Sequence, residues 1–509
     1  MHNGIKQAIV QGNGEQMMID LTPSIDEHSD EPIYVQLYRY IRMEMSEGRI
    51  TAGAKLPSVR QLAARLGISR TPVALAYDQL QAEGYVRSVP RSGLYAEALL
   101  SSGLDEPHKN QPIHNQVTNS REKSEGESKA ERLSNPRIDI DFGYGAVDWS
   151  RFPAAAWRKQ LNKCLQPDDG RLFRYGELAG EPELREQIAS YLHRTRGVRC
   201  QPDSIVIGAG TYQSLDLVLQ LIGENDEPLR IASEEAVNEG VKRLYVRHHA
   251  DVTPLRLESD GIRTEELYDT SVQAVYVTPS HQFPVGMTLS APKRIKLLQW
   301  ASSEGTYIIE NDYDGEFRYT GRPIPALQAM DDNGRVAYIG TFSRALTPSF
   351  RLSYAVLPPV LLERFKLGRH SYDQLASPLL QQAMGLFMES GGFGSHMRAM
   401  RALYQRKRDV LLQSLRESFD IGRQVKLIGE NSGLHLLLSF DPGKDSKVSE
   451  ERLIELAAQA GVRVYPVSKY WHRQEAAPRS TVMLGFGGLS EQEIAVGIKR
   501  LGEVWINLL

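Results

Sequence analysis

From residue 138 onward, short apolar runs at 204–207, 274–278, 306–310, 336–340 and 352–357 alternate with helical stretches such as 291–302. A strand, a helix and a further strand in succession pair in parallel, and runs without polar alternation need cover on both faces. The pattern predicts an α/β body built on a mostly parallel sheet with helices on each side. After about residue 359 helical periodicity takes over. A smaller α+β part follows, with strands expected near 433–440, 462–466 and 481–486 and a final helix from Ser490.

A chain of 509 residues exceeds one ordinary domain. Its texture divides it into a polar N-terminal segment, 1–30, a compact basic module, 31–98, a linker, 99–137, and the body, 138–509. The linker carries Ser, Asn, Glu, Lys and Pro with few large apolar groups, so it is expected to be flexible. Between Pro32 and Ala96 nine basic residues face four acidic ones, although the whole chain has a net charge of −3. A basic head on an acidic body points to a polyanion partner for the head alone. Two cysteines, Cys164 and Cys200, lie far apart and form no metal-ligand pattern. That suits a reducing cytoplasm, without a disulfide framework or a metal site. No basic-then-apolar leader and no bilayer-length apolar run is present, so a cytoplasmic location without membrane contact is expected.

The head reads as three helices and a wing. Pro32 opens the first helix, with Val35, Leu37, Tyr38, Ile41 and Met45 at helical spacing, and Gly48 ends it. Ser58 is the expected N-cap of a second helix, from Val59 to Leu66. Gly67 suits the tight turn between crossing helices, and Ser69 is expected to cap a third helix whose first turn is Arg70-Thr71-Pro72-Val73. Two short strands, 84–88 and 92–95, flank Pro90. This winged helix-turn-helix resembles the GntR family along its whole length, through P-S-x-R, L-G-I-S-R-T-P-V and E-G-Y. The resemblance implies binding to double-stranded operator DNA, the third helix entering the major groove. It assigns base or phosphate contact to Arg70, phosphate positioning to Ser58, Arg60, Ser69 and Thr71, and wing contacts to Arg87, Arg91 and Gly93. Val89 and Leu94 stand where many relatives carry a polar or smaller wing residue.

The body carries Tyr175-Gly176-Glu177-Leu178-Ala179-Gly180, Gly208-Ala209-Gly210-Thr211, Thr278-Pro279-Ser280-His281-Gln282-Phe283-Pro284, Tyr313-Asp314-Gly315-Glu316-Phe317, and Gly340-Thr341-Phe342-Ser343-Arg344 with Arg351. Together these resemble the GabR/MocR regulators, which carry a fold-type-I aminotransferase body with a smaller C-terminal part and pyridoxal phosphate as family cofactor. Gly210, Thr211 and Tyr212 begin a helix after a strand, a natural seat for an anion. By resemblance Thr341 and Arg351 complete a phosphate site, Tyr175 reaches it from a partner subunit, and Ser343 is a further residue of the cofactor pocket. Tyr313 is expected near the ring hydroxyl.

The other positions have changed. Where the family places its Schiff-base lysine this chain has Arg344. A guanidinium stays protonated and is a poor nucleophile, so no covalent cofactor is expected. Asn311 stands where a carboxylate would hold the pyridine nitrogen protonated, and Asp312, one residue along a strand, is expected on the opposite face. Asn238 replaces a ring-side tyrosine, and Lys469 replaces the arginine that grips a substrate carboxylate. These changes imply a regulator without aminotransferase activity. Its body either senses an anionic small molecule through Arg344 and Arg351 or is vestigial, with Arg344 paired to a pocket carboxylate. The alternatives are an active pyridoxal-phosphate aminotransferase with a DNA-binding head, its amine supplied by a surrogate such as Lys242 or Lys293, and a scaffold that only dimerises. The family implies a homodimer, with heads swapped across it.

Overall fold

The computed structural model describes residues 31–89, 92–97, 138–166, 170, 174–223, 228–319, 321, 324–440 and 448–508, with 21, 23, 25 and 26. The linker 99–137, Arg91 and, save those four positions, the N-terminal segment lie outside the described residues. The chain forms two compact units, one holding the N-terminal module and the other nearly all of the body.

In the first unit α1 (Ile33–Ser46) buries Tyr34, Leu37, Ile41 and Met45, spaced three and four apart along one face. α2 (Val59–Leu66) opens at Ser58, whose hydroxyl accepts from the Gln61 N–H while the Gln61 side chain reaches back to the Ser58 N–H. Such a reciprocal cap is worth about 1 kcal/mol. Gly67, at φ 69°, makes the left-handed turn into α3 (Arg70–Ala82). Ser69 occupies the N-cap position with extended backbone, but its hydroxyl makes no capping bond. Pro72, at the third helical position, has no N–H to offer and so removes one of the two usual partners of such a cap. The wing is β1 (Val86–Val89) antiparallel to β2 (Gly93–Ala96), with Val86 opposite Ala96 and Val89 opposite Gly93. It starts two residues later than expected, because Gly84, at φ 75°, belongs to the turn that leaves α3.

The body is organised by a seven-stranded sheet in the spatial order Ile205–Gly208, Ser353–Val356, Val336–Thr341, Tyr307–Asp312, Ala274–Val277, Arg230–Glu234, Asp251–Leu255. The last five run parallel, and Ser353–Val356 pairs antiparallel with both of its neighbours. Adjacent residues such as Ile308 and Ile309 enter different apolar clusters, so the sheet is covered on both faces. Each such side chain contributes about 1.5–3 kcal/mol by burial. A four-stranded antiparallel sheet, ordered Val425–Ile428, His435–Phe440, Thr481–Gly485, Tyr465–Pro466, forms the smaller C-terminal part. The final helix, Glu491–Trp505, starts at Ser490 with a capping box to Glu493 and buries Trp505 completely. Among the described residues no helix is long and apolar enough to cross a membrane.

Parallel strands bring their C-terminal ends to one edge. Here that edge carries Glu234, Asn311, Asp312 and Thr341. Beyond the carboxyl ends of the strands is where open α/β sheets hold ligands.

Candidate functional site

A cavity of about 220 Å³ opens at that edge, and Thr211, Tyr212, Asn311, Tyr313, Thr341, Ser343, Arg344 and Arg351 all line it. One end is shaped by backbone. Gly210, at φ 103° and ψ 156°, precedes the helix Thr211–Ile222, and its N–H donates to Ser353 Oγ at 3.0 Å. A Cβ on Gly210 would lie 1.9 Å from Arg351 Nη2, so only glycine lets that guanidinium rest on the turn. Arg351 is itself left-handed, at φ 50°, and donates to the Pro348 carbonyl at 3.4 Å. Thr341 is buried at the end of its strand and donates through Oγ1 to Ser343 Oγ at 3.0 Å. A helix start, the hydroxyls of Thr341 and Ser343 and the Arg351 guanidinium thus border one cavity.

The other end is shaped by side chains. Arg344 is half-buried, donates through Nη1 to the Tyr144 carbonyl, and lies 4.9 Å from the centre of the Tyr144 ring. This cation–π contact holds a flexible side chain against one wall. Asn311 is buried, its Nδ2 donating to Tyr276 Oη at 2.7 Å while Oδ1 has no partner. Asp312 turns to the opposite face, where Oδ2 accepts from Arg196 Nε and Tyr338 Oη, each at 2.7 Å. Tyr313 stays a neutral phenol, burial first of all raising its pKa, and meets His281 Nδ1 at 3.1 Å. His281 Nδ1 also contacts Asp314 at 2.9 Å. Behind it burial keeps His435 neutral, its pKa pushed down to about 3.

Several residues of this end were not singled out for the cavity from sequence. Tyr144, Tyr276 and Phe283 form aromatic walls, and Glu234 lies among them. Burial pushes the Glu234 carboxyl up to about 7, against the donors Thr278 Oγ1 at 2.6 Å and the Thr278 N–H at 3.1 Å. Tyr144 sits between two glycines outside any periodic run, so nothing in the local pattern marks it.

Two expected pocket residues stand apart. Lys469 is held by Glu239 at 2.9 Å and lines a neighbouring recess rather than the cavity. An ion pair within reach on the next helix captures it. Tyr175 is fully exposed and outside the cavity lining of its own chain. Asn238, in the expected place of a ring-side tyrosine, lines the cavity but also caps the helix Glu239–Arg247, accepting from the Gly240 N–H at 2.9 Å. Its side chain further links Tyr212 and Tyr144.

In the head, Ser58, Arg60, Ser69, Arg70, Thr71, Arg87 and Gly93 are all exposed. Arg87 is already engaged, by Glu97 at 2.9 Å and by the Tyr95 ring at 5.7 Å. Ser69 keeps its hydroxyl out of the capping role.

The gntR family of bacterial regulatory proteins matches residues 33–95, and the aminotransferase class I and II family matches residues 137–501. The HTH-type transcriptional regulator YhdI of Bacillus subtilis is 40% identical over 492 residues, spanning 96% of this chain and 99% of that protein. The "Probable rhizopine catabolism regulatory protein MocR" of Rhizobium meliloti is 30% identical over 485 residues, 95% of this chain and 96% of its own. In fold the body is similar to the multiple substrate aminotransferase of Thermococcus profundus, with a TM-score of 0.65 at 24% identity, over 75% of this chain and 96% of that one. With a gntR-family head, an aminotransferase-like body and full-length likeness to HTH-type regulators, the chain belongs to the MocR/GabR-type transcriptional regulators.

Proposed function

We propose that the head binds an operator and that the body is a homodimeric receptor for an anionic small molecule, without aminotransferase chemistry. One observation carries the second half. Arg344 and Arg351 line a single cavity, and among the described residues neither has a carboxylate within 4.0 Å. Arg344 is half-buried and Arg351 exposed; a half-buried cation without a counter-charge is unfavourable, and an anionic ligand relieves it. The vestigial reading, with Arg344 paired to a pocket carboxylate, lacks that partner.

Pyridoxal phosphate, the cofactor an aminotransferase body implies, fits this chain only in part. The phosphate seat suits it. The covalent position does not, because the cavity lining contains no lysine. Lys242 donates to the carbonyls of Lys469 and Trp471, at 2.9 and 2.6 Å, and Lys293 is held by Glu258 and Asp260, each at 2.6 Å. Neither offers a free amine. Asn311 supplies no charge to a pyridinium. Among the described residues the active-aminotransferase alternative therefore finds no lysine in the cavity to carry its first step.

For the head, exposed Arg70 at the start of α3 reads or anchors the duplex, with Ser58, Arg60, Ser69 and Thr71 on phosphates and Arg87, Arg91 and Gly93 in the wing. The linker, 99–137, is long enough to let heads exchange across a dimer. The exposed Tyr175, Trp149 and Leu178 support a subunit interface. The protein acts in the cytoplasm.

Two experiments test this reading. In a gel shift on a duplex from its own promoter region, Arg70→Ala weakens binding about 10- to 100-fold. Unchanged affinity removes the assignment. Protein mixed with pyridoxal phosphate and treated with borohydride shows no covalent adduct by mass; a reducible adduct refutes the non-enzymatic body.

A further inference from the structure

We propose that the cavity receives a phosphorylated aromatic acid, its phosphate on the Gly210–Thr211 turn and Arg351, and its second anionic group on Arg344. This deepens the reading of the cavity as an anion receptor and rests on it.

Two cations line the cavity, and they differ in what surrounds them. Arg351 lies on a glycine turn at a helix start, next to hydroxyls, where a tetrahedral trianion or dianion finds donors from several directions. Arg344 is held by a side chain and a loop carbonyl instead. It is braced by the Tyr144 ring and commits one N–H to the Tyr144 carbonyl. A guanidinium has five donors in a planar fork, so the remaining edge suits a planar carboxylate held by two parallel bonds. A single phosphate on Arg351 leaves this second cation unmatched.

The cavity that both arginines line has aromatic walls. Tyr144 and Phe283 meet at 5.1 Å between ring centres, and Phe283 and Tyr313 at 6.1 Å. A volume of about 220 Å³ walled by rings suits one planar ring rather than a flexible chain. An independent sign of a missing ligand is Asn311. It is only 7% exposed, lines the cavity, and its Oδ1 lacks a partner although its Nδ2 is bonded to Tyr276. Buried polar atoms are rarely left so, and an N–H or O–H on the ligand satisfies it.

The test is calorimetric titration of the full-length protein with phenyl phosphate and with 2-, 3- and 4-carboxyphenyl phosphate, using benzoate as the phosphate-free probe. The expected result is that the best carboxyphenyl phosphate binds at least tenfold tighter than phenyl phosphate. Arg344→Met reduces that ratio to below threefold, Arg344→Lys leaves it intermediate, and Arg351→Gln weakens both phosphates. Melting of each variant without ligand, compared with the wild type, shows that it is folded. Equal affinity for phenyl phosphate and all three acids overturns the proposal while leaving an anion receptor in place. So does a carboxylate preference that survives in Arg344→Met. If no phosphate binds, both the proposal and the receptor reading fall.

Discussion

At Gly210 the cavity is made by backbone: a left-handed turn, a helix start, and an arginine resting where any side chain would collide. At Arg344 it is made by side chains: a cation on a tyrosine ring, an amide in place of an acid, and a capping asparagine where a ring-side tyrosine was expected. The first kind of site persists as long as the fold does, because φ, ψ and helix position are shared with the packing. The second kind can be rewritten one residue at a time without disturbing the sheet. Under the reading proposed above, the turn at Gly210 keeps a place for an anion while the side chains next to it do not serve aminotransferase chemistry.

The sharpest way to break this contrast lies on one strand. Asp312 and Asn311 are neighbours that face opposite ways, one tied to buried Arg196 and the other to the cavity. Asp312→Ala strands a buried guanidinium and is expected to destabilise the body by about 3–5 kcal/mol in denaturant unfolding. Asn311→Ala, which removes one bond to Tyr276 and an atom already unpaired, is expected to cost about 1 kcal/mol. Equal losses would mean that the rewritten end is as structural as the inherited one.

Next in size is Gly210→Ala. A residue with φ near 103° and ψ near 156° is almost always glycine, and placing alanine there costs about 1–3 kcal/mol. The same change displaces Arg351, so stabilisation by inorganic phosphate or phenyl phosphate in a thermal-shift assay should disappear. Retained stabilisation would detach the anion seat from the turn.

The smallest effect concerns pH. The Glu234 carboxyl is raised from 4.5 to about 7, above all by burial. A raised folded-state pKa means that its stabilising contribution is complete below about 4.5 and is lost as pH rises through about 7. Glu234→Gln should flatten the fall of stability over that window without abolishing it, since Glu310 is also raised to about 7. An unchanged slope in pH-dependent unfolding would show that Glu234 does not titrate there.

The parallel body was legible where strands are uniformly apolar. Two strands escaped because their composition hides them. Arg230–Glu234 carries Ser233 and Glu234, both buried and both hydrogen-bonded, inside what should be an apolar run. Asp251–Leu255 carries Pro254 and forms the edge of the sheet, where a missing N–H is tolerated. Secondary structure in the head followed from caps and glycines, except that Ser69 makes no capping bond, Pro72 removing one of its two usual partners. The turn at Gly210 and the helix start after it were legible from the glycine that follows a strand. The aromatic walls were not, because Tyr144 comes from a segment far in sequence from Tyr276 and Phe283, and only folding brings them together. Lys469 was misplaced because its charge is taken up by Glu239, a pairing no local pattern reveals.

Arg344, clamped on Tyr144, has a consequence for timing. A sensor that captures an aldehyde by forming a bond must wait for hydrolysis before it can forget its signal. One that holds an acid by attraction alone empties as fast as the acid diffuses out. The receptor proposed above is of the second kind: its occupancy would follow the present level of its ligand, and transcription under its control could be switched back without any catalytic step.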